Sequence, residues 1–554
     1  MAGTMSKSGC FLAAAVLLGG LAFAPPAPGR AAPPHGLQAD NQNCVPEPDA
    51  FTQTLIADLG ASGFQVSQGC AKLYIFQDCL DRTYPTLKSC FLGNPAAPYV
   101  LPVLKLWPDE YMDPNLVDAF VKTDPGYTVT YRLDPRDAVV IYGQMPPPGR
   151  YMGVQTWEFS EHGKWKPKDY SEWANTPDLP IPIQYLFDTI PPEDPKSHRV
   201  ISLSALGDVV NNVVVQRTLR EAGEDDNPFG KTLYFIITPS ASTDEAIRLT
   251  LQAQGVPGSH IFTEQIPRAD DFGPIGPLGM GRNAIDFWTA FRYSVPDPDY
   301  EDAAQDWREN PPLTVLRVRA PDSVGPVKRY GSLTFEQRTA NSEAYLAGDL
   351  EDLVDAVCDS VSDIANLASS DCVQPPPATS FMQDPVGDLG WTGPYCRDIG
   401  MDCLGDQQEA IYYITSPRPT DSGQVYAVIG TLATETGNAT YVGLSANDAA
   451  IMGGVPDGTV LDTDLKGSAD VYASTVDNTD KFFVHYYTTN CAQLVDVPGG
   501  VENCTRISGM STIGDPALQG MIMISLRDYI APGTARGPDP TEIPTPRILT
   551  FTQP

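Results

Sequence analysis

The sequence predicts a mainly β protein with a few helices (α+β), built as two related antiparallel β-sandwich-like units that share an internal duplication. Three observations carry the prediction. Proline is abundant and aperiodic, with 53 among 554 residues, and beside frequent Val, Thr and Tyr it favours short strands and rigid turns over long helices. Turn-bounded apolar strings of four to nine residues follow one another from Tyr99 onward. Finally, strings in the first half recur in the same order in the second.

The elements follow in chain order. Lys7, the apolar stretch Cys10 to Phe23 and the small residues after it read as a signal peptide over 1–29, cut at Ala27-Pro28-Gly29 ahead of Arg30. Residues 30–95 read as a mobile lead-in with a disulfide-tied cap, containing a helix over Phe51 to Leu59. The N-terminal β-rich domain, 96–341, carries strands at Tyr99 to Leu106, Tyr127 to Leu133, Ala138 to Gly143, Tyr151 to Phe159, Val200 to Leu203, Thr232 to Thr238 and Thr314 to Val318. Within it, Ser242 and Glu245 form a capping box for a helix from Asp244 to Gln254, with Gly255 as its stop. A divider over 342–383 holds a helix near Ser342 to Leu367, whose Leu350, Leu353, Val354, Val357, Val361 and Ile364 share one face, before Pro375-Pro376-Pro377 breaks the chain. The C-terminal β-rich domain takes 384–554.

Cysteine usage assigns the compartment. Beyond the leader stand ten cysteines: Cys44, Cys70, Cys79, Cys90, Cys358, Cys372, Cys396, Cys403, Cys491 and Cys504. An even, locally clustered set reads as disulfides in a secreted or periplasmic protein, with Cys358–Cys372, Cys396–Cys403 and Cys491–Cys504 as candidate pairs and the first four open in their connectivity. Zinc is disfavoured, because six residues separate Cys396 from Cys403 and histidines are not nearby. The net charge is −33, or −34 once Lys7 leaves with the leader. Such acidity argues against nucleic acid and anionic membrane as partners, since phosphate binding needs clustered Lys and Arg. Past the leader no run approaches the length of a spanning helix, so no membrane anchor is expected.

The duplication rests on three ordered matches. Ala138 to Gly143 followed by Tyr151-Met-Gly-Val-Gln155 parallels Tyr426 to Gly430 followed by Tyr441-Val-Gly-Leu-Ser445. Lys231 to Thr238 parallels Lys481 to Thr488, and Leu313 to Arg319 parallels Met523 to Tyr529. The same C-terminal strings, with Gly467-Ser468-Ala469 and Leu526-Arg527-Asp528-Tyr529 before Pro532, resemble a domain of unknown function found in exported bacterial proteins. There it commonly follows a second uncharacterised domain, to which Gly149-Arg150-Tyr151, Val154-Gln155 and Leu233 to Pro239 are similar. The chain departs from that partner domain in lacking an Asn-Asp-Thr-Leu-Tyr segment. The resemblance implies architecture and brings no activity.

Motifs for chemistry are mostly missing. There is no G-x-S-x-G elbow, no phosphate loop, and no dinucleotide spacing among Gly276 to Gly281. The histidines, His35, His162, His198, His260 and His485, stand too far apart for an H-E-x-x-H site. Asp297, Asp299 and Asp302, or Asp462, Asp464 and Asp470, could offer oxygen to calcium, yet Lys466 and Ala473 break the EF-hand template, and solvated acidic loops are the simpler account. No cofactor is predicted. Trp157, Glu158, His162, Trp165 and Tyr170, with Trp173 beyond them, gather rings and ionisable groups where a strand meets a polar turn, and are the candidate binding residues. The function expected is a binding or interaction module for a carbohydrate or an apolar small molecule. The alternative is an enzyme that uses paired carboxylates on a polysaccharide or related polymer.

Overall fold

In the computed structural model of the chain, the described residues are 45–114, 116–162, 199–206, 210–267, 276–331, 336–365, 367–369, 371–372, 405, 407–421, 423–514, 516 and 518–552. They form a mainly β structure with several helices. The main elements of the first half are α1 (Ala50–Ala61), β1 (Gln65–Tyr74), β2 (Tyr99–Lys105), β3 (Asp137–Gln144), β4 (Gly149–His162), β5 (Arg199–Ala205), α2 (Asn212–Glu221), β6 (Thr232–Thr238), α3 (Ala241–Ala253), β7 (Ile261–Gln265), β8 (Asp286–Pro296) and β9 (Leu313–Arg319). The second half contributes α4 (Ala347–Ala365), β10 (Ala410–Ile414), β11 (Val425–Thr431), β12 (Tyr441–Asp448), β13 (Gly453–Leu461), β14 (Phe482–Thr488), β15 (Cys504–Arg506), β16 (Met521–Tyr529) and β17 (Arg547–Phe551).

Nine strands of the first half run in the order β7-β6-β3-β9-β1-β2-β8-β4-β5. The ribbon folds over at β1, whose residues Gln65 to Gly69 pair with β9 while Cys70 to Tyr74 pair with β2. Glycine is required at that changeover: a Cβ on Gly69 would lie 2.1 Å from the Val103 carbonyl oxygen. The outer face of the β3, β6 and β9 tract buries Val140, Tyr142 and Ile236 against Leu55 and Leu59 of α1 and Ile247 and Leu251 of α3. The inner face, with Ile141, Phe235 and Val315, shares a core with Val154, Phe287 and Phe291 of the β4 and β8 tract.

The second half holds two smaller sheets, β15-β14-β11-β17 and β10-β16-β12-β13. Helix α4 lays Leu350, Leu353, Val354, Val357 and Val361 on Val425, Val484 and Leu549 of the first of these. The opposite face of that sheet, with Val428 and Phe483, shares a core with Leu444, Ile524 and Leu526 of the other. Among the described strands each half is antiparallel except at one edge, where β7 runs parallel to β6 and β15 parallel to β14.

Local chemistry explains most boundaries. Asp49 caps α1 by accepting from Thr52 N at 2.7 Å, and Asn211 caps α2 from the amides of Val213 and Val214. Helix α3 starts three residues before the expected Asp244, because Ser240 and not Ser242 is its cap, accepting from Thr243 N at 3.2 Å. The expected strand over Tyr127 to Leu133 is broken into Tyr127–Thr128 and Thr130–Tyr131, which pair with different neighbours. Strand β1, at the centre of the large sheet, falls in the segment read as lead-in, and its polar composition concealed it. Disulfides close Cys79–Cys90, Cys358–Cys372 and Cys491–Cys504, and Cys70 is disulfide-bonded as well. Cys44, Cys396 and Cys403 lie outside the described residues. Among the described residues, no helix is long and apolar enough to cross a membrane.

The third of the ordered matches joins strands with different neighbours: β9 pairs with β3 and β1, whereas β16 pairs with β12 and β10. The strand that occupies the place of β16 in the first half is β8.

Candidate functional site

The two halves meet along β4, β8, β10, β12 and β16. Tyr441 and Tyr529 stack with ring centroids 4.4 Å apart, and Tyr151 leans on Tyr529 at 5.4 Å. Asn94, from the loop before β2, donates to the Tyr529 hydroxyl at 2.9 Å. Glu409, fully buried just before β10, accepts from the Tyr151 hydroxyl at 2.6 Å and from Asn211 at 3.0 Å, and pairs with the buried Arg292 of β8. Arg292 also donates to Gln155 at 3.0 Å and lies over the Trp157 ring. Burial, with the Glu409 carboxylate beside it, holds the Tyr151 hydroxyl well above its ordinary range.

Beside this seam lies a cavity of about 90 Å³. Its apolar wall includes Tyr99, Phe120, Trp157 and Trp288 of the first half and Tyr412 and Ile414 of the second. The indoles of Trp157 and Trp288 are 5.0 Å apart, and Tyr99 and Phe120 meet Trp288 at 5.7 and 5.4 Å. The polar points are Asn94, Gln407, Arg292 and Arg527.

One wall is the loop over residues 88–93, where Lys88, Phe91 and Leu92 have φ near +59°, +55° and +50°. Non-glycine residues there are strained, and strain of this kind collects at functional sites. The Cys79–Cys90 disulfide holds the loop, and Cys90 N and Leu92 N each donate at 2.8 Å to carbonyls of Ile451 and Met452 in the second half.

Arg527, 1% exposed on β16, has a different environment from Arg292. It donates to Ser525 Oγ at 2.8 Å, to Ser445 Oγ at 3.4 Å and to the Leu92 carbonyl at 2.8 Å. Among the described residues it has no carboxylate partner, which sets it apart from Arg292; its Nε, like that of Arg292, has no hydrogen-bond partner. Its ring neighbour Tyr412 has a hydroxyl held well above its ordinary range by burial. Asp528 points to the opposite face of β16, and burial raises its carboxyl well above the usual range.

Of the candidate residues read from sequence, Trp157 lines the cavity. Glu158 follows it on β4 and therefore faces the other side of the sheet, 1% exposed. His162 ends β4 opposite Arg199. Trp165, Tyr170 and Trp173 lie outside the described residues. Asp462 is taken up by Arg150 and by Val442 N, and Asp464 accepts from Leu461 N. Among the described residues, no group of three His, Cys, Asp or Glu side chains is placed to hold a metal ion. Sequence reasoning missed Arg292, Glu409 and Arg527. The usable signal was an arginine in each of Phe291-Arg-Tyr-Ser294 and Leu526-Arg-Asp-Tyr529, two strings that the third match did not set against each other.

No family model matches the chain, and no curated protein does. Among solved structures the chain is similar to an uncharacterised protein from Burkholderia cenocepacia, at 11% identity and TM-score 0.31, covering 83% of this chain and 78% of that one. It is also similar to the VPA0106 protein from Vibrio parahaemolyticus, at 11% identity and TM-score 0.31, covering 76% of this chain and 87% of that one.

Proposed function

We propose that the protein binds an apolar small molecule in the aromatic cavity between its halves. The observation that carries this reading is the cavity of about 90 Å³, ringed by two indoles and further aromatic side chains with a few polar groups at fixed points. Trp157 and Trp288 are each 5% exposed, so a small ligand enclosed against the rings fits them better than a glycan laid on an open platform. No carboxylate is among the described groups that line the cavity, which favours binding over acid–base chemistry there. The local disulfides support action outside the reducing cytosol.

We also infer that the halves descend from one duplicated unit. The orders β7-β6-β3-β9 and β15-β14-β11-β17 agree strand for strand, as do β2-β8-β4-β5 and β10-β16-β12-β13, each pair in the same chain order. The single parallel edge, β7 on β6 and β15 on β14, recurs too.

The test is a screen of fragment-sized aromatic and aliphatic compounds by ligand-observed NMR, repeated on Gly93→Leu. A Cβ at Gly93 meets nothing nearer than 3.6 Å, so a leucine there fills the cavity while the backbone stays in place. Hits on the parent that vanish on Gly93→Leu, at equal melting temperature, are expected. Hits that survive the filling, or none at all, would overturn the proposal.

A further inference from the structure

We propose that the ligand of this cavity carries a carboxylate, and that Arg527 receives it in the place that corresponds to the one Glu409 fills beside Arg292. The inference rests on the binding reading above and adds the ligand's chemical class.

On the first half, Arg292 stands directly opposite Tyr99 of β2 on one side and Gly153 of β4 on the other. On the second half, Arg527 stands directly opposite Tyr412 of β10 and Gly443 of β12. The two arginines therefore hold the same place in the same three-strand tract, Tyr-Arg-Gly. The correspondence extends outward along the chain: Asn94 lies five residues before Tyr99, Gln407 lies five before Tyr412, and both line the cavity.

The correspondence fails where the counter-charge is supplied. Glu409 lies three residues before Tyr412, and its carboxylate crosses the seam to neutralise Arg292. Three residues before Tyr99 stands Ala96, which has no charge to send back to Arg527. The space beside the two glycines records the same difference. A Cβ on Gly153 would lie 2.9 Å from Glu409 Oε1, so that space is full. A Cβ on Gly443 would meet nothing within 4 Å. Arg527 thus has the burial, the aromatic neighbour and the adjoining space of Arg292, without an anion among the described residues.

The donors left over suit a carboxylate. A guanidinium has five N–H groups. On Arg527 the Nη1 group serves two serine hydroxyls, and Nη2 serves only the Leu92 carbonyl. One N–H on Nη2 and the N–H on Nε remain, two donors on adjacent nitrogens, which is the arrangement that binds a carboxylate through both oxygens. A buried cation without a counter-ion is unfavourable, and an incoming anion removes that penalty where a neutral ligand would not. The apolar tail of the ligand then lies among Trp157, Trp288 and Tyr412.

The experiment compares isosteric acids and amides, benzoate with benzamide and butyrate with butyramide, by calorimetric titration at neutral pH. On the parent protein each acid is expected to bind at least tenfold more tightly than its amide. Arg527→Met should abolish the preference while the amides bind as before, and Arg527→Lys, which keeps the charge but not the paired donors, should retain only part of it. Gly443→Ala narrows the space next to Arg527 without touching the charge, and should weaken the acids selectively; it also serves if Arg527→Met does not fold. Acids and amides that bind equally, both blocked by Gly93→Leu, would overturn the carboxylate and leave the cavity reading standing. Acid preference that survives Arg527→Met would overturn the role of Arg527. If no acid or amide binds the parent, the cavity reading and the carboxylate fall together.

Discussion

Replacing Glu409 with leucine tests the interface at its most heavily used group. The substitution keeps roughly the same volume but removes the counter-ion of Arg292, which is 2% exposed and has no second carboxylate partner among the described residues. It also removes the acceptor for the Tyr151 hydroxyl and for Asn211. Breaking a buried ion pair from one side costs about 3 to 5 kcal/mol, because the remaining charge stays buried and unpaired. Unfolding entropy of roughly 2.1 cal/mol/K per residue gives a body of this size about 1 kcal/mol/K, so the melting temperature should fall by about 3 to 5 °C. The assay is calorimetric unfolding at pH 7 of the parent, Glu409→Leu, Arg292→Met and the double variant. The double variant should recover much of the loss, since two apolar side chains replace a pair whose desolvation was costly. A single substitution that costs under about 1 kcal/mol, or a double variant whose loss equals the sum of the singles, would refute the claim that this pair is coupled and structurally important.

Further expectations follow from the same geometry. Gly153→Ala should destabilise by about 1 to 3 kcal/mol, because the new methyl meets Glu409 Oε1 at 2.9 Å and the Tyr151 hydroxyl at 3.0 Å, whereas Gly443→Ala should be neutral or slightly stabilising; equal effects in denaturant titrations would remove the asymmetry on which the ligand argument rests. Burial pushes the Glu264 carboxyl up to about 8, against the bonds it accepts from Thr156; the folded value lies above the unfolded one, so its contribution is intact below about pH 4.5 and declines by up to about 1.4 kcal/mol per pH unit as pH rises to about 8. Stability of Glu264→Gln measured across that window should be flatter than that of the parent. His485 is the opposite case, since burial pushes it down to about 3: stability is kept above about pH 6.5 and lost as pH falls toward 3, and His485→Phe should flatten the acid limb. Cys491→Ser with Cys504→Ser opens a local loop and should cost about 3 kcal/mol; an unchanged denaturation midpoint would show that the bridge contributes nothing.

How much of this was legible in the sequence depended on whether the signal was local. Strands with apolar runs between turns were readable to within a residue or two, as at Thr232–Thr238, because their own side chains state their burial. The α4 stripe from Leu350 to Val361 was readable for the same reason, and so were Cys358–Cys372 and Cys491–Cys504, whose loops are short. Strand β1 was not, since Gln65-Val-Ser-Gln-Gly69 owes its central place to pairing with a strand far along the chain, Leu313–Arg319. The candidate site fared likewise. Trp157 was found because aromatic residues crowd the end of β4, but Glu158, read as its partner, is turned away by the alternation of the strand. Arg292, Glu409 and Arg527 belong to strings with no motif, and only the sheet register brings them to one seam.

The match that failed carries the most information about this chain. Setting Leu313–Arg319 against Met523–Tyr529 aligned two strings by composition, while the registers align Phe291-Arg-Tyr-Ser294 with Leu526-Arg-Asp-Tyr529. Under the first alignment Arg527 has no special counterpart; under the second it is the twin of a buried, neutralised arginine. Two halves that share the arginine, the tyrosine beside it and the glycine opposite, yet differ in the residue that supplies charge, are hard to explain by packing alone. If both arginines served only to hold the halves together, each would be expected to have a counter-ion, because an unpaired buried guanidinium weakens the interface it spans. On the carboxylate proposal, the seam is a structural joint at Arg292, which Glu409 closes, and a receptor at Arg527, which no described carboxylate closes.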